Sequence, residues 1–511
     1  MTAEKRVPVP LTERTVWPDS HQVGPPTSGD DVLLTAWLRS RPGGDLDVAG
    51  ARKLAITPPL LRTLADRKAL ATQTDAAPDD VELLRRYCER FELKIVDTRW
   101  RSVVISGPIE RLVRAFGATV AIFEDGGGRR FRHRSDALHL PADLAAVVRG
   151  VFGLHQWPRS RKLGTLQRHT TPLYAREVAA RYRFPDSDGR GQTIGVVQLD
   201  GLFRPSDFDQ CMSAQGLSRA RPIVKRVDGT YAPHEVATAK DLEAALDVQI
   251  IGSLAPGATI VVYEAPNNER GFLDAIREAL FDAEYAPSVL SISYGWPEPV
   301  WTPVALNILE DMFTFAALVG VSVFCSSGDN GAELDYDGKP HVVAPASSSF
   351  AIACGATVIA NPGDDGEQAW ERTGGGFSER FAVPEWQNVA QSSAAQYGVA
   401  AGRGVPDVAA QQLPGYYVVM DGVELAMGGT SAVAPTWSAL TARINQLLGV
   451  PAGFFSPILY DRRGEQLFGE IVAGSNGRFE AGADWNPCTG LGVPNGIAIE
   501  KALRDPPLPS L

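Results

Sequence analysis

Four residues of this chain could together cut an acyl bond: one serine and three carboxylic acids. The serine is Ser431, in the stretch "GGTSAVAP" that runs from Gly428 to Pro435. A helical pattern follows it to Gly449, and Pro435 is expected within the first turn, where a missing N–H is tolerated. A hydroxyl there lies among unpaired N–H groups at the positive end of a helix dipole. That setting suits an attacking oxygen and the oxyanion it creates. The plainer alternative is a serine that merely caps a helix. A serine nucleophile also needs a base, and histidine is not in place to be one. Beyond the linker region only His234 ("YAPHEVA") and His341 ("GKPHVVAP") occur, and both read as surface or structural residues.

Carboxylates offer another base. In "KDLEAALDVQIIGSLAPGA", Leu242, Ala245, Leu246 and Ile250 make an apolar stripe, so the segment is expected to be a helix. Glu243 and Asp247 are four residues apart and project together beside that stripe. On an exposed face they are two solvated charges that repel mildly. Partly buried, they share a proton, and the Glu can act as a base that the Asp orients. Asp329 follows the strand-like "VSVFCS" in a Gly-rich turn, "SSGDNGAELD". Open α/β sheets keep their sites at such strand ends. Protonated, Asp329 could donate a hydrogen bond to an oxyanion; otherwise it is an ordinary turn residue.

The elements that must hold these residues are legible in outline. With 511 residues, two or more domains are expected. Residues 1–30 are Pro-rich and polar and read as an irregular lead-in. Residues 31–158 read as a small α+β unit, with strand character in "DVLLTAWLRS" and "LKIVDTRWRSVVISG". Helical spacing appears in "VELLRRYCERF", "PIERLVRAF" and "PADLAAVVRGVFGL". Residues 159–171, basic and polar, read as an exposed linker. From 172 to 511 the apolar runs "TIGVVQL", "ATIVVY", "SVLSIS", "VSVFCS" and "FAIAC" alternate with helical patterns around 236–253, 270–283 and 302–319. Continuous apolar strands alternating with helices predict a parallel sheet covered on both faces.

Composition narrows the function. A net charge of −11 disfavours a nucleic-acid binder. The five cysteines, Cys88, Cys211, Cys325, Cys354 and Cys488, are far apart and make no CxxC pair, so neither a zinc site nor a disulfide framework follows. No apolar run is long enough to span a membrane, and "MTAEKRVPVPLTERTVWPDS" has no apolar region of the signal-peptide kind.

Taken in order, Glu243, Asp247, Asp329 and Ser431 fall into a known pattern. The "GGTSAVAP" segment is similar to the subtilisin serine motif, without the subtilisin histidine. The whole chain beyond residue 30 resembles the sedolisins, or serine-carboxyl peptidases, and among them the kumamolisin-like zymogens. The resemblance rests on the Glu-x-x-x-Asp helix with "GSLAPGA", then "SISYGWPE", "SSGDNG", "ACGAT", "GGGFS", "GRGVPDVAA", "GGTSAVAP" and "PCTGLGVPNG". Residues 31–158 resemble the family's propeptide. The resemblance implies a subtilisin-like α/β sandwich preceded by an α+β prodomain, and peptide-bond cleavage in acid once the propeptide is removed. It also implies a monomer that acts outside the cell on protein or peptide substrates, with its own prodomain covering the cleft. Ser431 would be the nucleophile, Glu243 the base and later acid, Asp247 its partner and Asp329 the oxyanion-hole acid. An ionised Glu base and a protonated Asp donor coexist only below neutrality, which is an independent reason to expect an acid optimum. A conventional subtilase is opposed by the missing histidine motif. A non-catalytic peptide-binding relative is opposed by the presence of all four residues.

The chain departs from the family at three places. The family's Ca²⁺ site, carried over, would use Glu470, Ile471, Gly482 and Asn486, with Asp484 where the family has a glycine. All the altered side chains offer oxygen, but a longer Glu and a neutral Asn reshape the set. Gln198 stands where related enzymes have a Glu that extends the carboxylate network, and Tyr294 where they have a Trp. Gln can hydrogen-bond the dyad but cannot share its proton. Propeptide cleavage is expected between Arg159 and Thr171.

Overall fold

The computed structural model describes residues 5–14, 16, 20–26, 31–156, 161–162, 165–166, 171–227, 238, 240–332, 336–359 and 366–505. The C-terminal unit is built on parallel strands that are buried on both faces. In chain order its elements are β1 (Thr193–Leu199), β2 (Ile223–Arg226), α1 (Asp241–Leu254), β3 (Thr259–Ala265) and α2 (Glu269–Phe281). There follow β4 (Val289–Ile292), α3 (Pro303–Leu318), β5 (Ser322–Ser326), β6 (Ile352–Val358), β7 (Val408–Leu413) and α4 (Thr430–Leu448). The spatial order is β2-β3-β1-β4-β5-β6-β7, all parallel, and Gln368–Ala369 pairs antiparallel with the end of β6. The expected sheet covered by helices is thus present, and its apolar runs sit where their β-branched residues pack on both sides.

Two helices of this unit carry the residues of interest, and each differs in detail from the sequence reading. In α1 the apolar stripe was expected with Glu243 and Asp247 beside it, either solvated or partly buried. Leu246 and Ile250 are buried and Leu242 and Ala245 only half-buried, whereas Glu243 and Asp247 are 1% and 0% exposed. The reason is that α1 is enclosed by α4, by the strand Tyr416–Met420 and by the helix Pro205–Ala214. Gln249 pins it there, its amide exchanging two hydrogen bonds with the backbone of Val419, at 2.7 and 2.8 Å. At the start of α4 the N-cap is Gly429 (φ +97°), so Ser431 is a residue of the helix and not its cap. A side chain on Gly428 would lie 2.2 Å from the carbonyl oxygen of Gln412, which leaves room for glycine alone. Pro435 lies inside α4 beyond its first turn, not within that turn as expected.

The N-terminal unit has a four-stranded antiparallel sheet, in spatial order Lys94–Arg99, Ser102–Pro108, Asp31–Leu38, Val148–Phe152, with helices Pro78–Arg90 and Ile109–Phe116 packed into its core. The segment "PADLAAVVRGVFGL" is not one helix. A single turn, Ala142–Ala145, gives way to the strand Val148–Phe152, because "VVRGVF" finds a free sheet edge at Thr35–Leu38. Short apolar runs are ambiguous between the two periods, and tertiary pairing decides. The lead-in is also less irregular than expected: Arg6–Pro8 pairs with His139–Pro141 and His21–Gly24 with Thr119–Glu124.

This unit sits on α2 and α3 of its neighbour. Thr35 donates to Asp274 (2.8 Å), Arg277 donates to Ser102 (2.6 Å) and Arg101 pairs with Asp311 (3.1 Å). Arg14 pairs with Glu269, and Trp100 stacks on Phe281 with ring centroids 4.4 Å apart. The linker is not simply an exposed strand of chain. Arg161–Lys162 pairs antiparallel with Gly295 and Tyr294, and Thr165–Leu166 pairs antiparallel with Gly428 and Met427. An extended polar segment that meets two open strand edges adds to them. All five cysteines are buried free thiols. Cys88 packs in the N-terminal core and the other four in the main core, and burial pushes every thiol up, to about 12 for Cys88, Cys211 and Cys488.

Near the seam between the units, the buried rings of His133 and His155 meet edge to face at 4.9 Å, between Phe123 and Phe131 and close to Arg14, Arg132 and Arg134. Burial first, then the arginines, pushes His133 down from 6.5 to about 4, and His155 shifts the same way. Below pH 6.5 the unfolded chain therefore takes up these protons before the folded one does. Folding stability should fall from about pH 6.5 to about pH 4, by on the order of 3 kcal/mol for His133 alone. Denaturant unfolding of the Ser431→Ala protein, followed by tryptophan fluorescence across this range, checks it. His155→Phe should flatten the dependence.

Candidate active site

The carboxyl pair and the serine come together through one residue that the sequence reading did not single out. Ser293, directly after β4, donates from its hydroxyl to Asp247 Oδ1 (2.8 Å). Its carbonyl oxygen lies 3.4 Å from Ser431 Oγ, which donates to it. Asp247, Ser293 and Ser431 are all fully buried. Burial, and next the neighbouring Glu243, pushes the carboxyl of Asp247 well above the ordinary carboxylate range. Two carboxylates one helical turn apart in a dry site cannot both ionise, so the pair holds a proton between them.

Asp329 closes the other side. It is 5% exposed, in the turn after β5, and its Oδ1 accepts both the backbone N–H (2.8 Å) and the hydroxyl (2.7 Å) of Thr430. The hydroxyl oxygen of Thr430 also accepts from the N–H of Gly328 (3.2 Å), and its carbonyl accepts from Ser326 (2.9 Å). Thr430 thus ties the end of β5 to the start of α4 and sets Asp329 beside the residue that precedes Ser431. Neither Ser293 nor Thr430 was read as functional from the sequence. The only signal was adjacency, Ser293 to the "YGWP" strand and Thr430 to Ser431.

The histidines stay apart from this cluster. His341 is buried and bonds Asp337 (2.8 Å), a structural role as expected. His234 lies outside the described residues. Gln198, fully buried on β1, does not carry a proton into the dyad. Its amide donates to the Tyr294 hydroxyl (2.7 Å), which donates on to the Leu199 carbonyl (3.3 Å).

The carried-over calcium residues do not fit a cation. Asn486 turns its amide nitrogen to the Gly482 carbonyl and to Thr489 Oγ1, both at 3.0 Å. Its oxygen is taken by the N–H groups of Cys488 and Thr489, also at 3.0 Å. Flipping the amide would face donors against donors, so the orientation is fixed. A hydrogen-bond donor thus occupies the Gly482 carbonyl that a cation would need. Asp484, at φ +61°, is exposed and pairs with Arg463 (2.8 Å), while Glu470 is exposed and Ile471 buried. Among the described residues no group of His, Cys, Asp or Glu is placed to hold a metal ion.

Fold and site together define a class: a subtilisin-type α/β unit with a buried serine close to buried carboxyl groups. Residues 60–157 match the model of the pro-kumamolisin activation domain. Over 98% of its length the chain is 36% identical to kumamolisin of Bacillus sp. (strain MN-32), covering 96% of that protein. It is 30% identical to human tripeptidyl-peptidase 1, over 72% of each chain. Among solved structures, Pseudomonas sedolisin, a serine-carboxyl proteinase held with two molecules of pseudo-iodotyrostatin, shares the fold at a TM-score of 0.59 and 24% identity, covering 66% of this chain and 98% of that one. The chain belongs to the sedolisin family of serine peptidases, with kumamolisin, and carries its activation domain on the same polypeptide. No helix among the described residues is long and apolar enough to cross a membrane.

The Gln198–Tyr294 pair gives a test of the site's packing. Tyr294→Phe leaves the buried Gln198 amide without this partner and should lower unfolding stability by about 1–3 kcal/mol. Adding Gln198→Leu should recover part of that loss. Urea unfolding of the three variants in a Ser431→Ala background measures the coupling.

Proposed function

We propose that this protein is an acid-acting endopeptidase, in which Ser431 attacks the peptide carbonyl while Glu243 takes the hydroxyl proton. The observation that carries this reading is the burial of Glu243 and Asp247 together, at 1% and 0% exposure, with Asp247 tied through Ser293 to Ser431. A protonated Asp247 leaves Glu243 as the member able to accept a proton. Asp329 stabilises the oxyanion. Its Oδ1 is already an acceptor for Thr430, so a proton on this carboxyl belongs on Oδ2, and there it would supply the donor for the developing charge. Glu243 then returns its proton to the leaving amine, and water attacks the acyl-enzyme with Glu243 again as base.

The same chemistry accounts for activation. The linker's two paired dipeptides lie against Tyr294–Gly295, which follows Ser293, and against Met427–Gly428, which precedes Ser431 by three residues. Strand pairing beside a nucleophile is how an extended substrate is held. The first cut therefore falls between Lys162 and Thr165, within the span from Arg159 to Thr171 expected from the sequence. Freed of its tether, the N-terminal unit is held to α2 and α3 only by the non-covalent contacts of that seam.

Incubated at about pH 4, the wild-type protein should lose its first 160 or so residues and digest a denatured protein. Ser431→Ala and Glu243→Gln should stay intact, with activity lower by roughly 10⁴-fold or more. Sequencing of the new N-terminus locates the cut. A rate maximum at neutral pH, or an active Glu243→Gln, would overturn the assignment.

We further propose that the loop around Asn486 is held without calcium, by the Asn486 amide and the Arg463–Asp484 pair. Excess calcium or a chelator should then move the melting temperature by less than about 1 °C, since only a ligand that binds the folded state stabilises it. Asn486→Ala should lower it clearly, by leaving buried backbone groups unpaired.

A further inference from the structure

We infer that Ser293 is a positioning residue that makes the hold on the nucleophile's backbone depend on the protonation of the carboxyl dyad. The inference rests on the reading of Ser431 and Glu243 given above and assigns a role to a residue outside that set.

Its starting point is Pro435. In an α-helix the N–H of residue i+4 donates to the carbonyl of residue i, and proline has no N–H. Pro435 lies inside α4, four residues beyond Ser431, so the Ser431 carbonyl has lost its helical donor at that position. The hydroxyl of Ser293 lies 3.4 Å from that carbonyl oxygen and 2.8 Å from Asp247 Oδ1. The Ser293 carbonyl in turn accepts from Ser431 Oγ at 3.4 Å. Ser293 therefore brackets Ser431, with one contact to its side chain and one to its backbone, and touches the dyad with the same hydroxyl.

A hydroxyl has one hydrogen to give. With Asp247 ionised, that hydrogen goes to Asp247, the nearer acceptor. With Asp247 protonated, the carboxyl can donate to Ser293 Oγ, and the Ser293 hydrogen turns to the Ser431 carbonyl. No atom is transferred; one hydrogen bond reverses and another forms. The groups that face Asp247 favour the second state. Glu243 on α1 adds negative charge, and Tyr294, the residue after Ser293, is neutral and pushed further from ionising by its burial and then by both acids. Acid thus does two things at once. It maintains the protonated Asp247 and fixes the start of α4, where a small misplacement of the attacking oxygen is expensive.

The test uses mature enzyme and a quenched-fluorescent peptide, with kcat and KM measured across the acid range. Active-site titration with a fluorophosphonate counts competent serines, and circular dichroism checks folding. Ser293→Ala should lower kcat by roughly 10- to 100-fold, leave KM within about twofold and shift the pH profile. Pro435→Ala restores a backbone N–H to the Ser431 carbonyl, so Ser293→Ala/Pro435→Ala should regain most of the lost kcat. Pro435→Ala alone should broaden the profile, which keeps the inference testable if Ser293→Ala fails to fold. A folded Ser293→Ala with the wild-type profile, or a double variant no better than the single, would overturn it. If Glu243→Gln is active as well, the underlying assignment fails instead.

Discussion

Two carboxylic acids are buried one helical turn apart, and the rest of the molecule is arranged around that constraint. In water the pair would be a mild repulsion. Inside the protein it keeps one acid neutral, a division between an ionised and a protonated member. The division survives only if water stays out and α1 cannot turn. Both conditions are met by packing: α4, the strand Tyr416–Met420 and the helix Pro205–Ala214 enclose α1, and Gln249 locks its register. A helix with no exposed polar face is usually a core element. Here the core holds the candidate site.

The parts of the molecule visible in sequence are those set by local pattern. Apolar β-branched runs gave the sheet, and the i, i+4 spacing put Glu243 and Asp247 on one side of a helix. What pattern could not give was burial. Two members of the apolar stripe, Leu242 and Ala245, lie shallower than Glu243 and Asp247, because enclosure depends on elements nearly two hundred residues away. The same limit hid Ser293 and Thr430, whose roles are contacts across the sheet ends, and the strand Val148–Phe152, which a helical spacing disguised. Pro435 misled for a different reason. A proline near a helix start is commonly a tolerated first-turn residue, and only the observed N-cap shows it inside α4.

The N-terminal unit uses the same architecture from outside. It rests on α2 and α3, two crossover helices that also pack on β1, β3 and β5. Its polar contacts run to carboxylates on those helices, Asp274, Glu269 and Asp311, while its own buried histidines face arginines. The contacts that seat the unit and the groups of the candidate site are thus of one chemical kind.

The thiols carry a separate consequence. Each of the five is neutral, enclosed and remote from reagents, so the native protein is chemically silent to alkylation and indifferent to the redox state around it. A thiol becomes visible only when its own core opens. Cys88 reports on the N-terminal core and the other four on the sheet core. The chain therefore carries two built-in reporters of local opening, able to show which unit loosens first.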